Sequence, residues 1–121
     1  MLGLGNIGRG VDIQYQKGAI VKNNLISGFR NINLRAGEIR TDTAYFVNNN
    51  IMNSTTGTAI STSTADRTTI RNNIIKNTLS GVQSSNGSVT PDYNLFWNVI
   101  NKISGTAILG DSNLVVDPMF I

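Results

Sequence analysis

The stretch V-N-N-N-I-M-N at residues 47–53 decides the fold, because close relatives of it recur along the whole chain. In each copy an Asn-rich polar step is followed by two apolar residues and a polar exit. The other copies are K-N-N-L-I-S at residues 22–27, R-N-N-I-I-K-N at residues 71–77 and D-Y-N-L-F-W-N at residues 92–98.

One Asn from each copy can be aligned, and the aligned residues lie 21 to 26 positions apart. The aligned residues are Asn24, Asn50, Asn73 and Asn94. Self-similarity at this period is typical of a solenoid, in which each unit buries its apolar face only against its neighbours. The sequence therefore predicts a stack of short coils.

The composition supports short strands joined by polar turns. Of the 121 residues, 40% are hydrophobic and 14% are charged. Asn, Ile, Thr, Ser and Gly are abundant, and β-branched residues favour strands over helices. We interpret residues 1–10 as an irregular N-terminal segment and residues 11–121 as a single domain of repeats.

Several classes of function are excluded by what the chain lacks. It contains no cysteine and no histidine, which removes thiolate metal sites, Ser-His-Asp catalysis and imidazole ligands. Its net charge is +3, but the ten Lys and Arg residues are dispersed, so we expect no nucleic-acid partner. No segment is apolar and long enough to span a bilayer, and residues 1–10 do not resemble a secretion signal.

Each coil divides into three predicted strands. The first strands are residues 11–14, 32–35, 59–62, 82–85 and 107–110; the second are 19–22, 45–48, 69–71, 89–90 and 114–116; the third are 24–26, 50–52, 73–75, 94–97 and 119–120. The intervening insertions are predicted as loops over residues 36–44, 53–58 and 98–106.

The aligned asparagines are predicted to be structural. Hardly any residues separate the second strand from the third, so the chain must bend sharply, and Asn tolerates the left-handed backbone that such a bend requires. Stacked coils place one Asn above the next at about 4.8 Å. Side-chain amides at that spacing form a hydrogen-bonded ladder.

The repeats resemble the right-handed parallel β-helix of the pectate-lyase-like superfamily. The resemblance is carried by G-V-D-I-Q at residues 10–14, T-A-I-S-T-S at 58–63, T-I-R-N-N-I-I-K-N at 69–77, and D-Y-N-L-F-W-N at 92–98 followed by D-P-M-F at 117–120. It implies an all-β, right-handed, single-stranded parallel β-helix of about 4–5 coils, each of 21–28 residues. It also implies a segment of a longer protein that is extracellular or on the cell surface.

The resemblance further implies a ligand groove over the first sheet, and acidic polysaccharide as the ligand. The substrate-binding residues would be Asp12, Gln14, Asn33, Arg35, Ser61 and Gln83, with Trp97 as a sugar-stacking face. Lyases of this superfamily remove a proton next to a uronate carboxylate with a basic residue, often beside calcium. Here Arg35 would be that base, and Ca²⁺ would lie on Asp12, Asp42 or Asp66.

Three functions remain open at this point. We favour non-catalytic polysaccharide binding, because the seven acidic residues are scattered and form no D-x-D cluster. The second possibility is a calcium-dependent uronate lyase. The third is a purely structural solenoid of an adhesin or phage tail fibre, which predicts pairing with neighbouring coils of a longer chain or end-to-end self-association.

The individual site residues also have structural interpretations. Arg35 can be a solvated sheet residue paired with a carboxylate, and Asp42 and Asp66 can cap turns. Trp97 can pack beneath the predicted loop over residues 98–106.

Overall fold

The computed structural model describes residues 8–14, 18–37, 44–63, 68–85 and 89–119. The described residues form an all-β protein with parallel strands. The strands are β1 (Arg9–Ile13), β2 (Ile20–Lys22), β3 (Leu25–Ser27), β4 (Ile32–Ala36), β5 (Ala44–Val47), β6 (Asn50–Thr62), β7 (Thr68–Arg71), β8 (Ile74–Ser84) and β9 (Leu95–Gly105). In this described part of the chain, no helix has the length and apolar character that a membrane span needs.

The strands stack as a parallel β-solenoid. The larger sheet runs in the order β1-β4-β6-β8-β9, with β3 pairing with β6, and the smaller sheet runs in the order β2-β5-β7. The predicted fold class is confirmed. Among the described residues, three coils contribute a strand to the smaller sheet, and the stack makes about three turns, slightly fewer than the predicted four to five.

Three long strands replace what the sequence analysis divided into pairs. β6 and β8 each continue from the third predicted strand of one coil into the first predicted strand of the next, and β9 continues from a third predicted strand through residues 98–105, which were predicted as a loop. An asparagine bends each strand without ending it, because Asn53, Asn77 and Asn98 adopt φ values of 61°, 54° and 50°. The predicted loops over residues 53–58 and 98–106 are therefore wrong.

A hydrogen-bonded asparagine ladder runs up one corner of the solenoid. The Oδ1 of each ladder residue above the first accepts two hydrogen bonds from the Asn below, one from its backbone N–H and one from its side-chain amide. The donor-to-acceptor distances lie between 2.9 Å and 3.3 Å. The ladder residues are Asn24, Asn49, Asn73, Asn94 and Asn113.

The register of the second coil corrects one member of the predicted ladder. Asn50 pairs with Leu25 below and Ile74 above, so it belongs to the neighbouring column, and Asn49 takes the ladder position. The residue before each of the first four ladder asparagines is left-handed and makes the bend. These left-handed residues are Asn23, Asn48, Asn72 and Tyr93.

The core consists of apolar columns that run the length of the stack. One column contains Ile26, Ile51, Ile75 and Phe96, which pair in register and are all fully buried. A second column contains Leu34, Ile60 and Val82, also fully buried. Gly81 packs tightly against the next coil: a Cβ there would approach the Lys102 carbonyl oxygen to 2.5 Å.

The last coil differs from its prediction. Residues 107–110 were expected to form a first strand, but Ile108 N–H donates to Val89 O and Gly110 N–H donates to Pro91 O, so this segment continues the smaller sheet's face. The first-sheet position of this coil is filled by the end of β9 instead. Leu114 then forms a single bridge to Leu95.

Candidate functional site

A straight row of polar side chains runs up the outer face of the larger sheet. Successive members pair in register: Asp12 with Arg35, Arg35 with Ser61, Ser61 with Gln83 and Gln83 with Ser104. Their flanking column Leu34, Ile60 and Val82 is buried, so strand alternation turns the row away from the core. We call Asp12, Arg35, Ser61, Gln83 and Ser104 the outer strip.

The lower end of the outer strip is an ion-pair cluster. The Asp12 carboxylate accepts a hydrogen bond from Arg9 Nη1 at 2.7 Å and from Arg35 Nη1 at 3.3 Å. Gln14 Nε2 donates to the same carboxylate at 3.2 Å. Two guanidinium groups share one carboxylate, so this end of the strip carries a net positive charge.

Opposing effects act on the Asp12 carboxyl group. Partial burial raises its pKa, whereas the hydrogen bond from Arg9 and the positive charges of Arg35 and Arg9 lower it, with a further contribution from Gln14. The balance holds the pKa of Asp12 below its usual value. Asp12 is therefore an ionised partner of the two arginines at neutral pH.

The upper part of the outer strip carries neutral hydrogen-bonding groups. Gln83 Oε1 accepts a hydrogen bond from Thr58 Oγ1 at 3.3 Å, which orients the amide on the sheet face. The Gln83 side chain is exposed, and Ser61 and Ser104 are half-buried. These groups can donate and accept hydrogen bonds along a line of about 10 Å, given the spacing of neighbouring strands.

Sequence reasoning missed Ser104, because residues 98–106 were interpreted as a loop. The signal that identifies it is the alternation I-S-G at residues 103–105, which matches V-Q-S at residues 82–84 in β8.

Asn33 was expected on the outer face but is 0% exposed. Asn33 and Leu34 are successive residues of β4 and are both buried, so strand alternation does not decide which side chain faces outward here. Its side-chain amide donates to Thr58 O at 3.4 Å, and its Oδ1 has no hydrogen-bond partner among the residues that the structure describes. The prediction that Asn33 faces outward is therefore wrong.

Trp97 lies on a different part of the solenoid from the outer strip. It pairs with Lys76 in the first half of β9, before the Asn98 bend, and its side chain is 36% exposed. The alternative that Trp97 packs beneath a loop fails, because residues 98–105 are strand. A groove beside it is lined by Phe96, Trp97, Asn98, Val99, Ile100, Lys102 and Val115.

The predicted calcium ligands can be placed only in part. Asp42 and Asp66 lie outside the described residues. Asp12, the third predicted ligand, already faces two guanidinium groups, and cations beside a carboxylate weaken its affinity for Ca²⁺. Among the residues that the structure describes, no group of three acidic side chains is close enough to share a metal ion.

A second polar corner was also not anticipated. Asn98 donates to Asn77 at 2.8 Å, Asn77 donates to Asn53 at 3.1 Å, and Asn53 donates to the Ser27 hydroxyl at 3.2 Å. This exposed ladder coincides with the bends in β6, β8 and β9. Because its side-chain hydrogen bonds hold the bends in place, we interpret this second ladder as structural.

Comparison of the chain with models of protein families, with curated protein sequences and with solved structures gives no match.

Proposed function

We propose that the chain binds a carboxylate-bearing polysaccharide along the outer strip without cleaving it. The observation that carries this proposal is the register: one polar side chain per coil is presented in a straight line on a rigid sheet. A polymer of sugars also repeats its hydrogen-bonding groups at regular intervals. Regular spacing on both partners lets several weak hydrogen bonds form together without reorganising the protein.

The charge at the lower end of the strip favours an acidic sugar. Arg9 and Arg35 together carry one more positive charge than Asp12 neutralises. Guanidinium groups pair well with carboxylates, and a uronate beside Arg35 gains this interaction while the neutral groups above it bind hydroxyls. We also propose that the chain is related to the pectate-lyase-like superfamily and that it is located outside the cell or on the cell surface.

Affinity electrophoresis through gels containing polygalacturonate or alginate tests this binding. Ser61→Glu places a negative charge in the middle of the outer strip, and we expect it to weaken retardation by about tenfold. Thr69→Glu is the matched control, because Thr69 is also a half-buried polar strand residue but lies in the smaller sheet. Equal retardation of both variants and the unmodified chain would contradict the proposal.

Non-catalytic binding is favoured over uronate lyase activity by the contacts of Arg35. A catalytic base must be free to approach the substrate, whereas the Arg35 guanidinium is already paired with the Asp12 carboxylate at 3.3 Å. We therefore expect no rise in absorbance from unsaturated products when the chain is incubated with pectate and calcium. A calcium-dependent rise that Arg35→Gln abolishes would establish the lyase alternative.

A role as a structural spacer is the second candidate, and the regular stacking of parallel strands favours it. A spacer of this kind, as in an adhesin or tail fibre, requires no glycan. In that case no polysaccharide in the electrophoresis panel retards the chain.

A further inference from the structure

A bulge in β6 reshapes the second polar corner in the middle coils of the solenoid. Ser54 pairs with Thr78 and Thr58 pairs with Ser80, so three residues of β6 lie opposite one residue of β8. β8 and β9 run in step through the same corner. The extra length of β6 is residues 55–57. Bulges of this kind re-aim side chains and are common beside functional sites.

Contacts with the neighbouring coil hold the bulge in a fixed shape. Ser54 Oγ donates a hydrogen bond to Phe29 O, and Thr58 N–H donates to Asn31 O at 2.8 Å. A Cβ on Gly57 would approach the same Asn31 oxygen to 2.5 Å, so the close fit requires glycine here. A site beside this bulge is therefore formed before any ligand arrives, which reduces the cost of binding.

A small recess lies beside the bulge. It has a volume of about 80 Å³ and is lined by residues of β6, β8 and β9, namely Thr55, Asn77, Thr78, Asn98 and Ile100. A water molecule occupies about 30 Å³ in the liquid, so the recess has room for a side group of a few heavy atoms. None of these five residues belongs to the outer strip.

One buried hydroxyl group at this recess lacks a partner. Thr78 is 2% exposed, and its Oγ1 has no hydrogen-bond partner among the residues that the structure describes. A buried hydroxyl without a partner costs free energy, and native proteins leave few such groups unpaired. Because Thr78 also lines the recess, a ligand bound there can supply the missing partner.

The other walls of the recess offer hydrogen-bond donors and one apolar surface. Asn98 Nδ2 donates to Asn77 Oδ1 at 2.8 Å, and Asn77 Nδ2 donates to Asn53 Oδ1 at 3.1 Å. An amide nitrogen carries two N–H groups, and the second N–H of Asn77 and of Asn98 has no acceptor within the described part of the chain. Thr55 adds an exposed hydroxyl, and Ile100 adds an aliphatic side chain. These walls suit a group that presents an oxygen acceptor next to a methyl.

We propose that this recess binds the acetyl group of an acetylated sugar. The acetyl carbonyl oxygen accepts hydrogen bonds from the Thr78 hydroxyl and the asparagine amides, and the acetyl methyl packs on Ile100. The sugar ring stays outside the recess. An N-acetylated sugar and an O-acetylated uronate both carry this group. The site shares no residue with the outer strip, and its occupation does not depend on binding of a polymer there.

Saturation-transfer difference NMR with small sugars tests the site without any polymer. N-acetylglucosamine and an O-acetylated galacturonate are the probes, and glucose is the counterpart that carries no acetyl group. We expect the acetyl methyl protons of at least one probe to receive more saturation than its ring protons, and glucose to give no signal. The probe that responds identifies the linkage, amide or ester, that the site accepts.

Thr78→Val is the decisive variant, because it keeps the shape of the side chain and removes the hydroxyl. Binding should weaken by about tenfold, as expected for one lost hydrogen bond, while the midpoint of thermal unfolding should not fall, since the hydroxyl has no partner within the described fold. Thr68→Val is the matched control: it removes another buried, unpartnered hydroxyl, but from β7 in the smaller sheet, and binding should not change. Thr55→Arg, on the exposed bulge, should cover the recess and abolish the methyl signal without altering the core.

Several results would overturn the proposal. They are the absence of a methyl signal from both acetylated sugars, a methyl signal no stronger than that of the ring protons, and equal weakening of binding in Thr78→Val and Thr68→Val. A fall of several degrees in the unfolding midpoint of Thr78→Val would also overturn it, because the hydroxyl would then already bond within the fold. Retardation by polyuronate gels measures the outer strip separately, so failure of one site is distinguishable from failure of the other.

Discussion

Replacing Asn49 by alanine should lower the free energy of unfolding much more than replacing its neighbour Asn50 by alanine. Asn49 Oδ1 accepts hydrogen bonds from the backbone N–H and the side-chain amide of Asn24, both at 3.2 Å. Its own amide donates to Val21 O at 2.9 Å and to Asn73 Oδ1 at 3.1 Å. Asn49→Ala removes all four bonds, whereas the Asn50 side chain makes no hydrogen bond within the described structure.

The size of the effect follows from where these bonds lie. The two bonds donated by Asn49 are buried, and a buried polar group left without its partner costs about 1–3 kcal/mol. The two accepted bonds are partly buried and contribute about 0.5 kcal/mol each, because water can replace Asn49 there. We expect Asn49→Ala to lower the free energy of unfolding by about 3 kcal/mol, and the midpoint of thermal unfolding by about 10 °C.

Urea denaturation followed by circular dichroism measures the difference. Asn50→Ala is a matched control, since it removes the same amide one residue later, and its effect should stay within about 0.5 kcal/mol. A larger loss in Asn50→Ala than in Asn49→Ala would refute the ladder register. Equal losses would mean that asparagine at this corner acts through backbone propensity alone.

Three further predictions concern charge, close packing and the core. Asp12→Asn should reduce the loss of stability that occurs when the pH is lowered into the acid range. A carboxyl group whose pKa is lowered by folding stabilises the protein above its unfolded pKa of about 3.9, and this stabilisation is lost as the pH falls through the folded pKa. Melting temperatures of both proteins between pH 6 and pH 2 measure the difference. Gly81→Ala should destabilise by about 1–3 kcal/mol in urea, because its Cβ meets the backbone carbonyl of Lys102, whereas Gly37→Ala meets only side-chain atoms and should be tolerated. Phe96→Ala should cost about 3–5 kcal/mol by the same assay, since this ring is completely buried, and a loss below about 1 kcal/mol would mean that the column is loosely packed.

The solenoid could be predicted because its determinants are local and repeated. Each coil repeats a bend residue, a ladder asparagine and an apolar residue two positions later, as in Asn72, Asn73 and Ile75. Such a unit cannot bury its apolar face alone, so the repeat itself implies stacking.

The exact register of the second coil could not be predicted from the sequence. Residues 48–50 are three asparagines in a row, and each of them is chemically able to bend the chain, join the ladder or face outward. The choice is made by neighbours above and below: Asn50 pairs with Leu25 and Ile74, which leaves Asn49 for the ladder. Single-sequence patterns do not contain those pairings.

The upper end of the outer strip was missed for a related reason. Residues 98–106 have the polar residues of a loop, but β8 supplies a continuous row of backbone partners that holds them as strand. Strand formation depends on such neighbours more than on intrinsic propensity. Asn33 shows the converse, because strand alternation predicts an outward side chain whereas the structure buries it completely.

The distance between labels on Ser61 and Ser104 is the most direct test of the stacked coils. The chain has no cysteine, so Ser61→Cys and Ser104→Cys give two unique sites for nitroxide labels. These positions are far apart in sequence but lie two strands apart in the outer strip, at about 10 Å. Dipolar broadening of the electron paramagnetic resonance spectrum at that distance is the result the parallel solenoid predicts. A doubly labelled chain whose spectrum equals the sum of the two singly labelled spectra would contradict it.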